Sequence, residues 1–291
     1  MNDLIQVRKS RELGAILGDS FNFLKENLKP IFIPIFIIAI LHATIYALLI
    51  YKGFIVVSSS NALLRSGGFG SLFLSQFIVI VTSGIAYLSI YIILFRLIEF
   101  KSENPGINPT TNDLFKGFTS HFFRLFLIGI PSIIILFFLF LLLIIPGIWF
   151  YVIYLFLFPV AFFEKGSFGQ ILSRTRSLVK DNWWNSFLSF FIPQIILAII
   201  GAIFAGIIIA ASAYTVIQDN SNIASTMTIG LPIGYFFLIL GLSFLNLWPL
   251  TCIVLQYFNL VERKDHLGLF KNLDTLGTEG PKLEVGGPQE Y

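Results

Sequence analysis

Six long apolar stretches set the pattern of this chain, at roughly 31–51, 72–95, 125–145, 147–163, 187–213 and 233–256. A hydrocarbon layer about 30 Å thick is crossed by ~20 helical residues. Five of the stretches have that length, and the fourth is marginal at 17 residues. The third and fourth flank Pro146-Gly147. Joined as one kinked helix they would be too long for a single crossing, so the pattern predicts a helical hairpin that turns there.

A second pattern precedes the first stretch. Within 12–28, Leu13, Ile16, Leu17, Phe21, Leu24 and Leu28 fall on one helical face, with Glu12, Asp19, Asn22 and Glu26 elsewhere. This spacing predicts an amphipathic helix lying in a membrane interface. The pattern returns before the fifth stretch. Leu13-Gly14-Ala15-Ile16-Leu17 aligns with Phe168-Gly169-Gln170-Ile171-Leu172, and Lys25-Glu26-Asn27 aligns without a gap with Lys180-Asp181-Asn182. Ser167 and Gln170 have the spacing of a capping box. A shorter version runs from Asn112 to Arg124, with Leu114, Phe115, Phe118 and Phe122 on one face. Each amphipathic segment leads into a stretch with an early proline: Pro34, Pro131 and Pro193.

The fold class this predicts is all-α integral membrane: six transmembrane helices in three pseudo-repeated units of interfacial helix plus helical hairpin. The units cover about 11–98, 111–163 and 167–260 of a membrane domain 1–262. Repeats entering from one side imply a pseudo-symmetry axis along the membrane normal. Residues 263–291, with five glycines, two prolines and mixed charge, read as a mostly disordered tail.

Charge gives the predicted bundle a direction. Arg8, Lys9, Arg11, Lys25 and Lys29 precede the first stretch, and only Lys52 and Arg65 follow it. Arg96, Lys101, Lys116 and Arg124 come next, and the Pro146-Gly147 gap holds none. Lys165, Arg174, Arg176 and Lys180 precede the fifth stretch, the gap at 214–232 holds none, and Arg263, Lys264, Lys271 and Lys282 lie in the tail. Alternate gaps thus carry 17 and 2 of the 19 Lys and Arg residues. Positive charge stays on the cytoplasmic side, so both termini are expected there, in a cell membrane of the bacterial inner-membrane kind.

Composition agrees: 56% hydrophobic and 12% charged residues lie far from the values of a soluble domain. The net charge of +3 follows from orientation signals and does not point to nucleic acid. The single cysteine, Cys252, excludes an intramolecular disulfide. The first stretch is too long for the core of a cleaved signal peptide and reads as an uncleaved signal anchor.

Residues able to carry chemistry are few. His42, His121 and His266 stand in no metal-ligand spacing. Gly241-Leu242-Ser243-Phe244 contains a serine but no membrane-depth base follows it. No catalytic, cofactor or metal site is expected. The intramembrane polar candidates are His42, Gln76, Gln194 and Asn246, with Gln256 beside them. At the cytoplasmic face Arg96, Glu99, Glu164, Arg174 and Arg176 are candidate contacts for a lipid headgroup or a partner. Arg176 stands at the repeat position of Phe21, on an apolar face. It therefore calls for a carboxylate (Glu164, Asp181 or Glu99) or a lipid phosphate. Trp183 and Trp184 have the place of interface anchors.

Two sets of residues carry a likeness to a known family: Glu12-Leu13-Gly14-Ala15-Ile16-Leu17 with Asn27 and Pro30, and Ser167 through Lys180 leading into Trp183-Trp184. Over most of 11–262 the chain resembles multi-pass proteins similar to the membrane domain attached to some glycerophosphoryl diester phosphodiesterases. The resemblance implies about six spans with interfacial helices and no agreed activity; the soluble catalytic barrel of those enzymes has no room here. The expected function is a non-enzymatic scaffold, assembly factor or accessory subunit, partnered by the phospholipid bilayer and other membrane protein subunits. The alternative is a lipid-handling or transport protein using a groove in the bundle. Absence of charge from mid-span positions argues against ion-coupled transport.

Overall fold

The structure is a computed structural model that describes residues 10–58, 68–218 and 223–265. The tail expectation, with His266, lies outside them except at 263–265, which are not tail but the end of the last helix. Helix occupies nearly all of the described residues and no strand occurs among them. The helices are α1 (Leu13–Ser58), α2 (Gly68–Glu103), α3 (Thr111–Phe115), α4 (Phe118–Leu142), α5 (Ile144–Phe163), α6 (Phe168–Val179), α7 (Trp183–Gln218), α8 (Ile223–Leu245) and α9 (Leu247–Asp265). Among the described residues six helical runs are long and apolar enough to cross a membrane.

The amphipathic segments are built in three different ways. Residues 13–28 are not a separate element, because α1 continues unbroken through Pro30 and Pro34. In the second unit Gly117, at φ 71°, divides the five-residue α3 from α4. Only α6 is a helix of its own, joined to α7 by a 3-10 turn at Lys180–Asn182. Its start is fixed as the spacing predicts: Gln170 Oε1 accepts from the Ser167 amide at 2.8 Å.

The hairpin between the third and fourth stretches is present, but it turns earlier than expected. Leu143 alone is extended, at φ −151° and ψ 118°, and α5 begins at Ile144. Pro146 therefore sits in the first turn of α5, where its missing N–H removes a donor that has no helical partner anyway. The Leu143 amide donates to Leu139 O at 2.9 Å and the Gly147 amide to Leu143 O at 3.2 Å. Gly147 is required by contact: a Cβ there would lie 2.7 Å from Phe140 Cδ1.

The sixth stretch is not one helix. α8 ends at Leu245, α9 starts at Leu247, and Asn246 between them donates from Nδ2 to Leu242 O at 2.7 Å. Pro249 has no amide to offer the Leu245 carbonyl, so the helical ladder is interrupted where the axis can change.

The core lies at one end of the molecule, formed by the second half of α2, α5 and α9. α9 is buried continuously from Pro249 to Val261. Aromatic rings join the three helices: Tyr91 to Phe158 at 5.5 Å, Phe95 to Phe162 at 5.1 Å and Phe163 to Tyr257 at 5.6 Å between centroids. The other end is a thinner packing of α1 with α8 and α7 with α8. There Phe32 stacks on Phe244 at 5.2 Å and Tyr46 on Tyr235 at 6.3 Å. α7 approaches α8 so closely that a Cβ on Gly234 would lie 2.6 Å from Ile208 Cγ2.

Candidate functional site

The charged residues of α1, α2, α6 and α9 meet at the thick end, where three polar clusters form. The first centres on Glu164, the residue that follows α5. Arg174 donates from Nε to Glu164 Oε2 at 2.9 Å and from NH1 to Asp265 Oδ1 at 3.2 Å, with a second bond to Asp265. Tyr257 Oη donates to Glu164 Oε1 at 3.1 Å, and Arg124 to the Glu164 carbonyl at 2.8 Å. One residue thus joins α4, α5, α6 and α9, its carbonyl taking α4 and its carboxylate α6 and α9.

The second cluster closes the chain's first described residues onto α9. The Arg11 amide donates to Asn259 Oδ1 at 2.8 Å, and the Arg263 guanidinium donates to Arg11 O at 2.8 Å. The Arg11 side chain is fully buried and pairs with Asp19 at 2.8 Å. Asn259 Nδ2 continues to Gln256 Oε1 at 2.8 Å, and Gln256 Nε2 to Ser186 Oγ at 3.3 Å. Arg263 also reaches Asn182 Oδ1 at 3.4 Å. These bonds lie in a mostly apolar interior, where a lost partner leaves a costly orphan.

The third cluster is Arg96, which pairs with Glu99 and donates to Asp113 O at 3.3 Å. Its Nε is buried and makes no hydrogen bond. His121 lies nearby, its ring stacked 4.4 Å from that of Phe162.

Of the five cytoplasmic-face candidates, Arg174 and Glu164 come together in the first cluster and Arg96 and Glu99 pair in the third. Arg176 joins neither. It is exposed, and its guanidinium carbon lies 5.8 Å from the Trp149 ring centroid. Among the described residues no carboxylate forms a salt bridge with it. The reason is helical geometry: residues two apart on α6 point to nearly opposite sides, so Arg174 takes Glu164 and Arg176 faces α5's first turns. The position is not a buried apolar one either, since its repeat counterpart Phe21 is 57% exposed and rests edge-on against Trp248.

The intramembrane candidates are scattered. His42 Nε2 is 3.0 Å from Ser83 Oγ, joining α1 to α2. Gln76 is exposed on α2. Gln194 follows Pro193 and has a buried Oε1 without a hydrogen-bond partner. Asn246 serves the break between α8 and α9. They form no common site. Sequence reasoning missed Asn259, Arg263, Asp265, Tyr257 and Ser186. The available signal was the spacing of Gln256, Asn259 and Arg263, which puts three polar groups on one face of an otherwise apolar helix.

Beside the first two clusters an open groove of about 630 Å³ runs between the α4–α5 turn and the corner from α6 to α7. Ile145, Ile148 and Trp149 form one wall, with Lys180, Asp181 and Trp184 among the residues opposite. Trp183 Nε1 donates to Trp149 O at 3.3 Å across it. Among the described residues no group of three or more His, Cys, Asp or Glu is placed to hold a metal ion. Comparison of the chain with protein-family profiles, with curated proteins and with solved structures gives no match in any of the three, so the family likeness rests on the residues that carry it.

Proposed function

We propose that the chain is a multi-pass membrane protein of a cell membrane, both termini cytoplasmic, that serves as a scaffold, assembly factor or accessory subunit rather than as an enzyme. The observation that carries this reading is the use made of its interior polar groups. Arg11, Asn259, Gln256 and Ser186 bond one another across α1, α7 and α9, and Glu164 and Arg174 do the same across α5, α6 and α9. These are devices for holding helices in place. The convergence of charge from four alternate gaps on one end supports the cytoplasmic assignment of that end.

The three-unit architecture belongs to the same proposal. The start of α1 packs on α9, α3 on α2 and α6 on α5. Each unit's leading segment thus lies on the last helix of the unit before it, and the third unit closes on the first. The arrangement leaves apolar outer faces on α4 and α7, which suits assembly with other membrane subunits. Extraction from native membranes in a mild detergent tests the reading. A stoichiometric protein partner is expected. A chain that leaves the membrane alone, carrying only tightly held phospholipid, would overturn it in favour of lipid handling. That second reading is favoured by the groove, whose wall of Ile145, Ile148 and Trp149 faces a rim bearing Lys180.

A further inference from the structure

Both ends of α5 lie against α6 or the corner that follows it. Its last residue is followed by Glu164, bonded to Arg174 on α6. Its first turns carry Trp149, whose ring lies under Arg176 of α6 and whose carbonyl accepts from Trp183 of α7. Ile145, next to the turn, shares the groove with Lys180, Asp181 and Asn182. Asn182 is in turn held by Arg263, which also holds Arg11. The α4–α5 turn therefore sits beside the basic end of the bundle. Alternating charge alone would place it on the opposite side.

The composition of the turn fits no aqueous surface. From Phe137 to Trp149 every residue is apolar or is glycine or proline. Leu142 is 73% exposed and Ile145 81%. Polar loops cap helices that reach water, whereas this one presents a continuous aliphatic tip. Its backbone is also arranged for a medium without water. The Leu143 and Gly147 amides keep helical partners, and Pro146 brings no donor. Lys180 and Asp181 are exposed, and exposed charges belong at the interface and not in hydrocarbon. The tip, a few residues from them, lies within reach of that same interface.

The hairpin packs on the second half of α2 through Tyr91 and Phe95, on α9, and on α7 through Phe190, which is edge-on to Tyr151.

We propose that the α4–α5 hairpin is re-entrant. It enters and leaves through the face that carries the basic residues, and its tip from Leu141 to Ile148 lies among the acyl chains of that leaflet. The partner of this apolar surface is lipid. The crossings are then made by α1, α2, α7 and the α8–α9 pair, and both termini remain on one side. The inference rests on the reading of the chain as a membrane protein, and the test separates the two.

Single cysteines are placed at Lys52, Ser102, Lys180 and Ile145 in the full chain carrying Cys252→Ala. All four side chains are exposed in the structure, so little protein packing is lost. An impermeant maleimide is applied to right-side-out and inverted vesicles. Ser102→Cys and Lys180→Cys should react from one side and Lys52→Cys from the other. Ile145→Cys should not react from the Lys52 side, and a short bifunctional maleimide should crosslink it to Asn185→Cys in the paired variant. Reaction of Ile145→Cys from the Lys52 side, or failure of that crosslink, overturns the re-entrant hairpin. Reaction of Lys52→Cys and Ser102→Cys from the same side overturns the membrane reading itself.

Discussion

Arg174 and Arg176 stand two residues apart on one short helix and do different work. Arg174 bridges two carboxylates, both about 30% exposed. Charge-assisted hydrogen bonds contribute ~1.5–3 kcal/mol each when well buried, and partial exposure screens that. Arg174→Ala is expected to lower stability by about 2 kcal/mol. Arg176→Ala removes only a cation–π contact, worth about 0.5–1 kcal/mol at an exposed site. Thermal unfolding of the two variants in one detergent checks the order, and an equal loss would refute the assignment. The sequence named both residues and offered a carboxylate, Glu164 among others, to Arg176, whereas Arg174 takes it. It could not tell which, because two residues' difference in helical phase decides the matter, and phase relative to α5 is a tertiary property. Asp265, placed in the tail by its sequence, is a ligand of Arg174 for the same reason.

Among the elements, close helix approach is set by a few glycines. A Cβ on Gly234 would meet Ile208 Cγ2 at 2.6 Å, whereas Gly241 and Gly206 have nothing within reach. Gly234→Ala should therefore push α7 from α8 and cost ~1–3 kcal/mol as overpacking. Gly241→Ala should be neutral or slightly stabilising through helix propensity. Adding Ile208→Ala to Gly234→Ala should recover part of the loss, and thermal stability of the four proteins gives the coupling. Additive losses would show that the contact does not govern the packing. Helix existence was legible because long apolar runs admit little else. The breaks were less so. Leu143 ends α4 among residues of its own kind, so composition carries no mark of it, and Pro146 drew the expected turn three residues late. Asn246 and Pro249 did carry a mark, but within an uninterrupted apolar stretch it was overridden by hydropathy. The continuity of α1 through Pro30 and Pro34 is the reverse case, where polar periodicity suggested a boundary that the backbone does not make.

For the molecule as a whole, the bond between its first and last described helices decides how cooperative the bundle is. Arg11 reaches α9 through its own backbone, since its amide and carbonyl both bond α9 side chains, while its guanidinium is buried against Asp19. Breaking a buried pair by removing one partner costs ~3–5 kcal/mol, because the remaining charge stays in a poor solvent. Arg11→Ala keeps the backbone bonds and removes the ion pair, and Asp19 retains some access to water, so the lower end of that range, about 3 kcal/mol, is expected. The consequence should reach beyond α1. Asn259 lies between Arg11, Gln256 and Arg263, and Gln256 continues to Ser186 on α7. If the three units form a closed ring, loosening this seam should raise amide exchange together in the first turns of α1, the last turns of α9 and the start of α7. The aromatic column between α2 and α5 should keep its protection. Exchange measured by mass spectrometry on wild type and Arg11→Ala in the same lipid separates the cases. An increase confined to the first turns of α1 would mean that the segment is an appendage of α9, and the ring would not be what holds the fold.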